Sequence, residues 1–358
     1  MEQRIFNQLL AAAVKNGASD IHIKAGAPPA LRINGSLLPV KVPALMPDDT
    51  KVIAQYVLAG ARWRGELNDL RDWDTSYAVD EVGRFRVNVF RQKGNFALVL
   101  RAIPFSVPTV ESLGLPPVVK SMADYERGLI LLTGATGSGK SSTLAAIVRQ
   151  INETMRSHIL TIEDPIEFLH DDKLSRVTQR EIGPDTGTFA HALRAALRQD
   201  PDVILVGEMR DAETIEIALK AAETGHLVLS TVHTTDAAKT IGRLCDAFPH
   251  DAQQAVRHRL AENLKGSISQ RLLPKAQGKG RVVAAEILVS TESVKEFILD
   301  PERTHEIPDY LAKNRDVYGT QSFDQHLADL YRNGQVTLDV ARAAASNPSD
   351  FERALSFE

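Results

Sequence analysis

A glycine-rich segment combines residue types and a spacing suited to binding phosphate. Eight residues match the pattern G-x-x-x-x-G-K-S/T: Gly134, Ala135, Thr136, Gly137, Ser138, Gly139, Lys140 and Ser141. Glycine lets backbone N–H groups approach phosphate oxygens, because no Cβ stands between them. Lys140 is predicted to contact the β- and γ-phosphates, and the Ser141 hydroxyl to bind Mg²⁺. The segment therefore predicts a nucleotide site that extends to Ser142, with ATP and Mg²⁺ as its ligands. The alternative is a flexible glycine turn.

Two further segments place carboxylates directly after apolar runs. Glu163 follows residues 159–162, and Glu208 follows residues 203–206 and one glycine. Ligands of a parallel sheet bind beyond the carboxyl ends of its strands, so both carboxylates are predicted to project toward the phosphates. There a carboxylate can activate the attacking water or hold Mg²⁺ through its water shell. For either carboxylate alone, the alternative is an acid that caps a helix.

Histidines stand at both ends of a third apolar run, residues 227–232. His226 precedes this run, and His233 and Thr234 follow it. A polar strand end beside a phosphate loop can sense whether the γ-phosphate is present. His233 and His226 are therefore predicted to be phosphate sensors. The alternative for each is a structural histidine with satisfied hydrogen bonds.

A predicted pair of strands near residue 90 carries two arginines. If the chain turns between Gln92 and Asn95, Arg86 lies opposite Arg101 on one face, and apolar residues occupy the other face. Like charges directly opposed across strands are destabilising, so an anion between the two guanidinium groups would relieve the repulsion. The alternative is a solvated basic face with a different register.

The elements that must position these residues follow from periodicity. Residues 118–289 alternate strands (129–133, 158–162, 203–206, 226–232, 282–288) with helices (141–153, 188–199, 211–223, 236–247, 251–266), which is typical of a parallel α/β sheet. Residues 1–103 predict a small α+β domain with a hairpin turn at Asn34-Gly35. Residues 104–117, rich in proline, predict a linker. Residues 290–358 predict a helical region.

Composition limits the classes of function. A length of 358 residues suggests about two domains. A net charge of −4 and an aromatic content of 6% argue against a nucleic-acid translocase, which needs a basic channel with stacking aromatics. Cys245 is the only cysteine, which excludes a disulfide framework and fits a reducing compartment. No apolar run has the length needed to span a bilayer, so attachment to a membrane would require a partner.

These motifs together resemble the secretion-superfamily ATPases, and most closely the type IV pilus retraction ATPases of twitching motility. The resemblance covers nearly the whole chain. It rests on motifs in a specific order: residues 17–23, 84–88, 100–104, the phosphate loop, 163–167, 207–211 and 225–235. The last three resemble the family's Asp box, Walker B motif and His box.

The resemblance implies a RecA-like P-loop ATPase core, a PAS-like N-terminal domain and a cytoplasmic homo-hexamer. It implies ATP sites between the two domains, completed by Arg86 and Arg101 as phosphate-facing arginines. Glu208 would be the catalytic glutamate, with Lys140 and Glu163 as further catalytic candidates. An inner-membrane pilus platform protein would be the partner that holds the ATPase at the membrane.

Three alternatives accompany this interpretation. A pilus-assembly or type II secretion ATPase usually carries an extra N-terminal domain and a four-cysteine zinc insertion, and neither pattern occurs here. An accessory retraction paralogue, dependent on a partner motor, is favoured by residues 294–301, where the family's arginine-containing helix is replaced by a segment ending in Pro301. A regulatory subunit that binds nucleotide but depends on a partner motor is the third alternative.

Overall fold

The chain folds into two compact units, Met1–Ser106 and Val107–Glu358. The structure, a computed structural model, describes residues 1–33, 35–59, 65–103, 106–278 and 280–357. The segment predicted as a linker therefore falls at the unit boundary: Pro104 lies outside the described residues, and residues 107–117 belong to the second unit. Among the described residues, no helix is both long enough and apolar enough to cross a membrane.

The described part of the first unit is an antiparallel sheet with two α-helices. Its elements are α1 (Gln3–Lys15), β1 (Asp20–Lys24), β2 (Ala30–Ile33), β3 (Ser36–Pro39), α2 (Pro47–Ala59), β4 (Asp72–Val79), β5 (Gly83–Gln92) and β6 (Asn95–Ala102). In the described residues the strand order is β3-β2-β1-β6-β5-β4. The predicted turn between β2 and β3 includes Asn34, which lies outside the described residues.

Alternation along the strands separates a core face from a polar face. Phe85, Leu98 and Leu100 are buried in one apolar cluster with Phe6 of α1 and Ile53 of α2. Side chains two residues apart share a face, so the residues between these core positions form the opposite, polar face.

The second unit is an α/β sheet flanked by helices. Its elements through the sheet are α3 (Pro117–Ser121), β7 (Gly128–Thr133), α4 (Lys140–Thr154), β8 (His158–Glu163), β9 (Arg176–Glu181), α5 (Phe189–Ala196), β10 (Val203–Val206), α6 (Ala212–Glu223), β11 (Leu227–Val232), α7 (Ala237–Asp246), α8 (His250–Asn263), β12 (Leu264–Pro274) and β13 (Arg281–Val289). The strand order among described residues is β13-β12-β7-β11-β10-β8-β9. All neighbouring strands pair in parallel except β12 and β13.

Helices follow the sheet to the end of the described chain. They are α9 (Glu292–Leu299), α10 (Ile307–Lys313), α11 (Arg315–Tyr318), α12 (Phe323–Arg332), α13 (Leu338–Ala344) and α14 (Pro348–Phe357). The α/β P-loop core, the smaller α+β unit and these helices confirm the predicted fold class.

Two strands were missed by periodicity. The prediction extended a helix to residue 266, but α8 ends at Asn263 and β12 begins at the next residue. No glycine or proline separates the two elements, so nothing in the local sequence marks the change. The other missed strand, β9, is a polar edge strand that pairs only with β8 among the described strands.

The C-terminal helices cover the outer edge of β13. The backbone N–H of Ala285 donates to His326 Nδ1 at 2.9 Å, and Gln321 Nε2 donates to the Ala285 carbonyl at 2.9 Å. Ile287 and Gln321 exchange two further backbone hydrogen bonds. An uncovered sheet edge exposes unpaired backbone groups, which these side chains satisfy. His326 must accept through an unprotonated Nδ1, and burial lowers its pKa.

We expect acid to weaken this edge of the fold. The folded pKa of His326 lies below its unfolded value of about 6.5. Its contribution to stability is therefore complete above about pH 6.5 and is lost as the pH falls through the folded pKa. Thermal unfolding between pH 7.5 and 5 should show a smaller loss of melting temperature in His326→Asn, whose amide oxygen can still accept, than in the parent. An exposed-histidine control, His305→Asn, should follow the parent. Equal losses in His326→Asn and the parent would contradict this role.

Candidate nucleotide site

The phosphate loop connects the carboxyl end of β7 to the first turn of α4. Gly137 and Gly139 have φ angles of +79° and +96°, a backbone region that favours glycine. A Cβ added to Gly134 would lie 2.5 Å from Ser138 Oγ and 2.6 Å from the Gln270 carbonyl oxygen. The loop is thus packed tightly against β12, and only glycine fits at its first position. The N-terminus of α4 directs N–H groups into this loop, an arrangement suited to an anion.

Lys140 lies buried inside the phosphate loop. Its ammonium donates to the carbonyls of Gly134 at 2.9 Å and Ala135 at 3.0 Å. Burial lowers the pKa of Lys140, and the carboxylates of Glu167 and Glu208 act in the opposite direction. A partly desolvated cation with two acidic groups nearby is suited to exchange these carbonyl contacts for phosphate oxygens.

Glu208 and His233 lie close together at the carboxyl ends of the parallel strands, on the side of the sheet where the phosphate loop also begins. Glu208 follows β10 and His233 follows β11, and these strands pair in parallel. The distance from His233 Nε2 to Glu208 Oε2 is 3.6 Å, and Arg210 Nε lies 2.7 Å from the same oxygen. The Glu208 side chain is 17% exposed. A mostly buried carboxylate held by a cation, with a histidine beside it, can orient a water molecule.

Glu163 directs its carboxylate into the protein. Oε1 accepts from Thr161 Oγ1 at 2.6 Å and from Gln179 Nε2 at 3.2 Å, and Oε2 accepts from the Glu167 N–H at 3.4 Å. Burial raises the pKa of Glu163. Both lone pairs of Oε1 are occupied, which leaves less capacity for water or metal than Glu208 has. Glu163 thus contacts the backbone of Glu167, whose carboxylate acts on the charge of Lys140, and the catalytic role of Glu163 stays a prediction.

The prediction that His226 senses phosphate is not supported by its position. His226 precedes β11, and its carbonyl accepts from the N–H of Gly128 at the start of β7. Its Nδ1 lies 2.9 Å from the carbonyl oxygen of Ala221, at the end of α6. The phosphate loop follows the other end of β7, about 20 Å away for six residues of strand. His226 therefore has the structural role, and His233 remains the candidate sensor.

The arginine pair of the first unit has the predicted register. Arg86 lies opposite Arg101 across β5 and β6. Asp20 lies opposite Arg101 on the next strand, and Arg101 Nε donates to Asp20 Oδ1 at 2.9 Å. Arg32 follows on β2, with its Nε 3.9 Å from Asp20 Oδ2. The expected need for an external anion is therefore met in part by Asp20, whose pKa is lowered although burial opposes the shift, because Ser19 and Arg101 donate to it.

Three other residues of the second unit have contacts that periodicity did not reveal. Gln270 Nε2 donates to Thr143 Oγ1 of α4 at 2.8 Å, and Glu286 accepts from the N–H of Ala237 at 2.7 Å. Neither contact was predicted: Gln270 lies on β12, which was missed, and Glu286 lies on the predicted strand β13 but was given no role. Glu167 is the third carboxylate of residues 163–167, and its presence in that motif was the sequence signal that could have marked it as a site residue.

The donor set suits Mg²⁺ held through few protein oxygens. Mg²⁺ prefers hard oxygen ligands and keeps several waters. The Ser141 hydroxyl in the first turn of α4 would bind it directly, and Glu208 through water. Such an ion would neutralise the charge that develops on the transferred phosphoryl group.

The fold and this site define a P-loop nucleotide-binding protein. Residues 1–355 match the family described as Type II/IV secretion system protein. The type IV pilus retraction ATPase PilT of Pseudomonas aeruginosa is 44% identical over 96% of this chain and 99% of its own length. The type IV pilus ATPase PilU of the same organism is 39% identical over 96% and 90%. A crystal structure of the pilus retraction motor PilT with bound ADP superimposes with a TM-score of 0.88 at 46% identity, covering 97% of this chain and 98% of that chain.

The chain belongs to the Type II/IV secretion system protein family, and it is an ATPase.

The arginine row generates a prediction with a built-in comparison. If Arg86 and Arg101 face the phosphate, as the family resemblance implies, replacing either by Ala should lower ATP turnover by about tenfold or more, because a positioned guanidinium stabilises charge on the transferred phosphoryl group. Arg101→Ala should also lower the melting temperature, since Asp20, 9% exposed, loses its nearest cation. Arg86→Ala relieves like-charge repulsion and should not lower it.

Steady-state hydrolysis and thermal unfolding test both statements. Arg32→Ala is the matched control, since it removes the more distant cation from Asp20 without touching the arginine pair. Turnover within about twofold of the parent in both Arg86→Ala and Arg101→Ala would reject an arginine-completed site.

Proposed function

We propose that this protein is the motor that couples ATP hydrolysis to retraction of type IV pili. The observation that carries the proposal is the placement of Glu208 and His233 beside the phosphate loop, in a chain that PilT matches over nearly its full length. Pilus retraction is named for PilT and is carried over here as a proposal.

The proposed chemistry divides among the ends of three strands, β7, β10 and β11. The phosphate loop and Lys140 hold the β- and γ-phosphates of ATP, and Ser141 binds Mg²⁺. Glu208 orients the water that attacks the γ-phosphate in line with the leaving oxygen. His233, close to the same carboxylate, responds when the γ-phosphate leaves.

Arg86 and Arg101 are proposed to contact the γ-phosphate. The Nε of Arg101 is engaged by Asp20, and its side chain is 71% exposed, so its terminal nitrogens are accessible to phosphate oxygens. Guanidinium groups suit this task, because their planar donors match phosphate geometry. A homo-hexamer in which these arginines complete the ATP sites is part of the proposal.

The proposed location is the cytoplasm, at the inner membrane through a pilus platform protein. The described helices contain no membrane span, so the attachment is assigned to that partner. A nucleic-acid partner is not proposed, since the net charge is −4.

An accessory retraction ATPase is the second candidate. The observation that favours it is α9, which is only eight residues long and ends at Leu299, directly before Asp300-Pro301. Arg303 then stacks on Phe297 at 4.8 Å and pairs with Glu306 at 2.9 Å. This surface differs from the arginine-containing helix of the retraction motors that the chain resembles. Coverage of PilU is similar to that of PilT. The paralogous motor would be its partner.

Two substitutions separate nucleotide binding from hydrolysis. Lys140→Ala should abolish turnover and weaken ATP binding by about tenfold or more, because a charge-assisted contact is lost. Glu208→Gln should abolish turnover and retain ATP binding, because it removes only the carboxylate that orients water. Equilibrium titration with a fluorescent ATP analogue and phosphate release measure the two effects. Near-normal turnover in Glu208→Gln would contradict its catalytic role.

The same variants test retraction in cells. Cells lacking the gene should accumulate pili that do not retract, and Lys140→Ala should fail to restore retraction. A second comparison uses cells that have an intact paralogous motor. If these cells retract pili normally with Lys140→Ala but fail to retract them when the protein is absent, the protein is an accessory factor and not the motor. Normal retraction after gene deletion would reject both.

Assembly has its own measurement. We expect light scattering to give a hexamer that Mg-ATP stabilises, because nucleotide bound in a composite site favours the assembled state. A monomer at every concentration, with ATP turnover intact, would rule this out.

A further inference from the structure

We infer that Glu286 is a positioning residue for hydrolysis: it anchors the N-terminus of α7 and thereby holds His233 against Glu208. This inference rests on the proposed role of Glu208 in water activation. It assigns a function to a buried carboxylate that lies on β13, away from the phosphate loop and the Walker B segment.

Glu286 makes its contacts inside the second unit. The side chain is 5% exposed, and Oε1 accepts from the N–H of Ala237 at 2.7 Å and from Ser269 Oγ at 3.2 Å. Ala237 is the first residue of α7. The first N–H groups of a helix have no partner within the helix, so a buried carboxylate at this point satisfies one of them and complements the helix dipole.

The loop between β11 and α7 is tied to the same helix turn. Asp236 accepts from the Lys239 N–H as the helix cap. Thr234 Oγ1 lies 2.6 Å from Thr240 Oγ1, and Thr240 Oγ1 also donates to the Asp236 carbonyl. His233 is therefore held at one end by β11 and at the other by a helix turn that Glu286 anchors. The distance from His233 Nε2 to Glu208 Oε2 is 3.6 Å, and displacement of that turn would lengthen it.

Strand β12 connects this anchor to the phosphate-binding helix. Ser269, which donates to Glu286, is followed by Gln270, which donates to Thr143 of α4. Successive side chains of a strand point to opposite faces of the sheet, so these two neighbours contact elements on its two sides. Strand β12 therefore supports both α4, which follows the phosphate loop, and α7, which follows His233.

The charge environment of Glu286 makes its hydrogen bond to α7 sensitive to pH. Burial raises the pKa of Glu286 to about 7, and Asp236, which caps α7, adds to this effect. The Ala237 N–H, the Ser269 hydroxyl and Arg271 of β12 oppose it. An ionised carboxylate is a stronger acceptor for a backbone N–H than a neutral acid. The hold on α7 should therefore strengthen as the pH rises through about 7.

Steady-state hydrolysis by the full chain tests the inference. Glu286→Met, which is similar in size but has no acceptor, should lower kcat by about tenfold or more, because small displacements of catalytic groups are costly. The KM for ATP and the affinity for ADP should remain within about twofold of the parent. Glu286→Gln retains an acceptor oxygen and should restore most of kcat. The exposed-glutamate control, Glu292→Met, should match the parent.

A double variant asks whether Glu286 acts through His233. Glu286→Met combined with His233→Ala should be no slower than His233→Ala alone. A multiplicative loss, or a kcat within about twofold of the parent in Glu286→Met, overturns the inference.

The pH profile keeps the test decisive if Glu286→Met does not fold. The parent should show a step in kcat near pH 7 that rises with pH, and Glu286→Gln should lack this step. Superimposable profiles of the parent and Glu286→Gln overturn the inference. Failure of the proposed catalytic role is read separately, from turnover in Glu208→Gln.

Discussion

Parallel pairing of β7, β11 and β10 is the constraint on which the site depends. Thr133 lies beside Val232, and Val206 lies beside Ser230, so the three strands end within two residues of one another. The segments that leave them carry the phosphate loop, His233 and Glu208. Because the strands run in the same direction, each contributes its following residues to one edge of the sheet. Glu208 and His233, which are separated in sequence by the whole of α6 and β11, thereby come within 3.6 Å of each other.

Buried polar contacts on β12 and β13 stabilise this arrangement from the other side of the phosphate loop. Gln270 donates a hydrogen bond to α4, and Glu286 accepts one from the first N–H of α7. On β13, the Ala285 N–H donates to His326 of the C-terminal helices. Buried polar groups are costly when unpaired, so each contact specifies one position of its helix. The C-terminal region is therefore linked to the nucleotide site through two neighbouring strands, rather than being an independent appendage.

The polar face of the first unit is a row of alternating and repeated charge. Arg32, Asp20, Arg101 and Arg86 lie side by side on four adjacent strands, β2, β1, β6 and β5. Asp20 offsets part of the repulsion, but the row retains an excess of positive charge next to Arg86. That excess suits a phosphate oxygen. The proposed use of both arginines is therefore consistent with a stable unit, since Asp20 already holds one of them.

Local sequence determined the phosphate loop, the paired register of Arg86 and Arg101 and the strands that end at Glu163 and Glu208, because glycine spacing, period-two alternation and apolar runs are short-range signals. The tertiary structure decided which end of a strand each candidate occupies. His226 lies at the amino end of β11, away from the phosphate loop, and the carboxylate of Glu163 points into the protein. Asp20 pairs with Arg101 of the arginine pair. The tertiary structure also revealed β12, where Leu264 follows α8 without a break. Strand order and side-chain contact depend on residues distant in the chain, which periodicity does not encode.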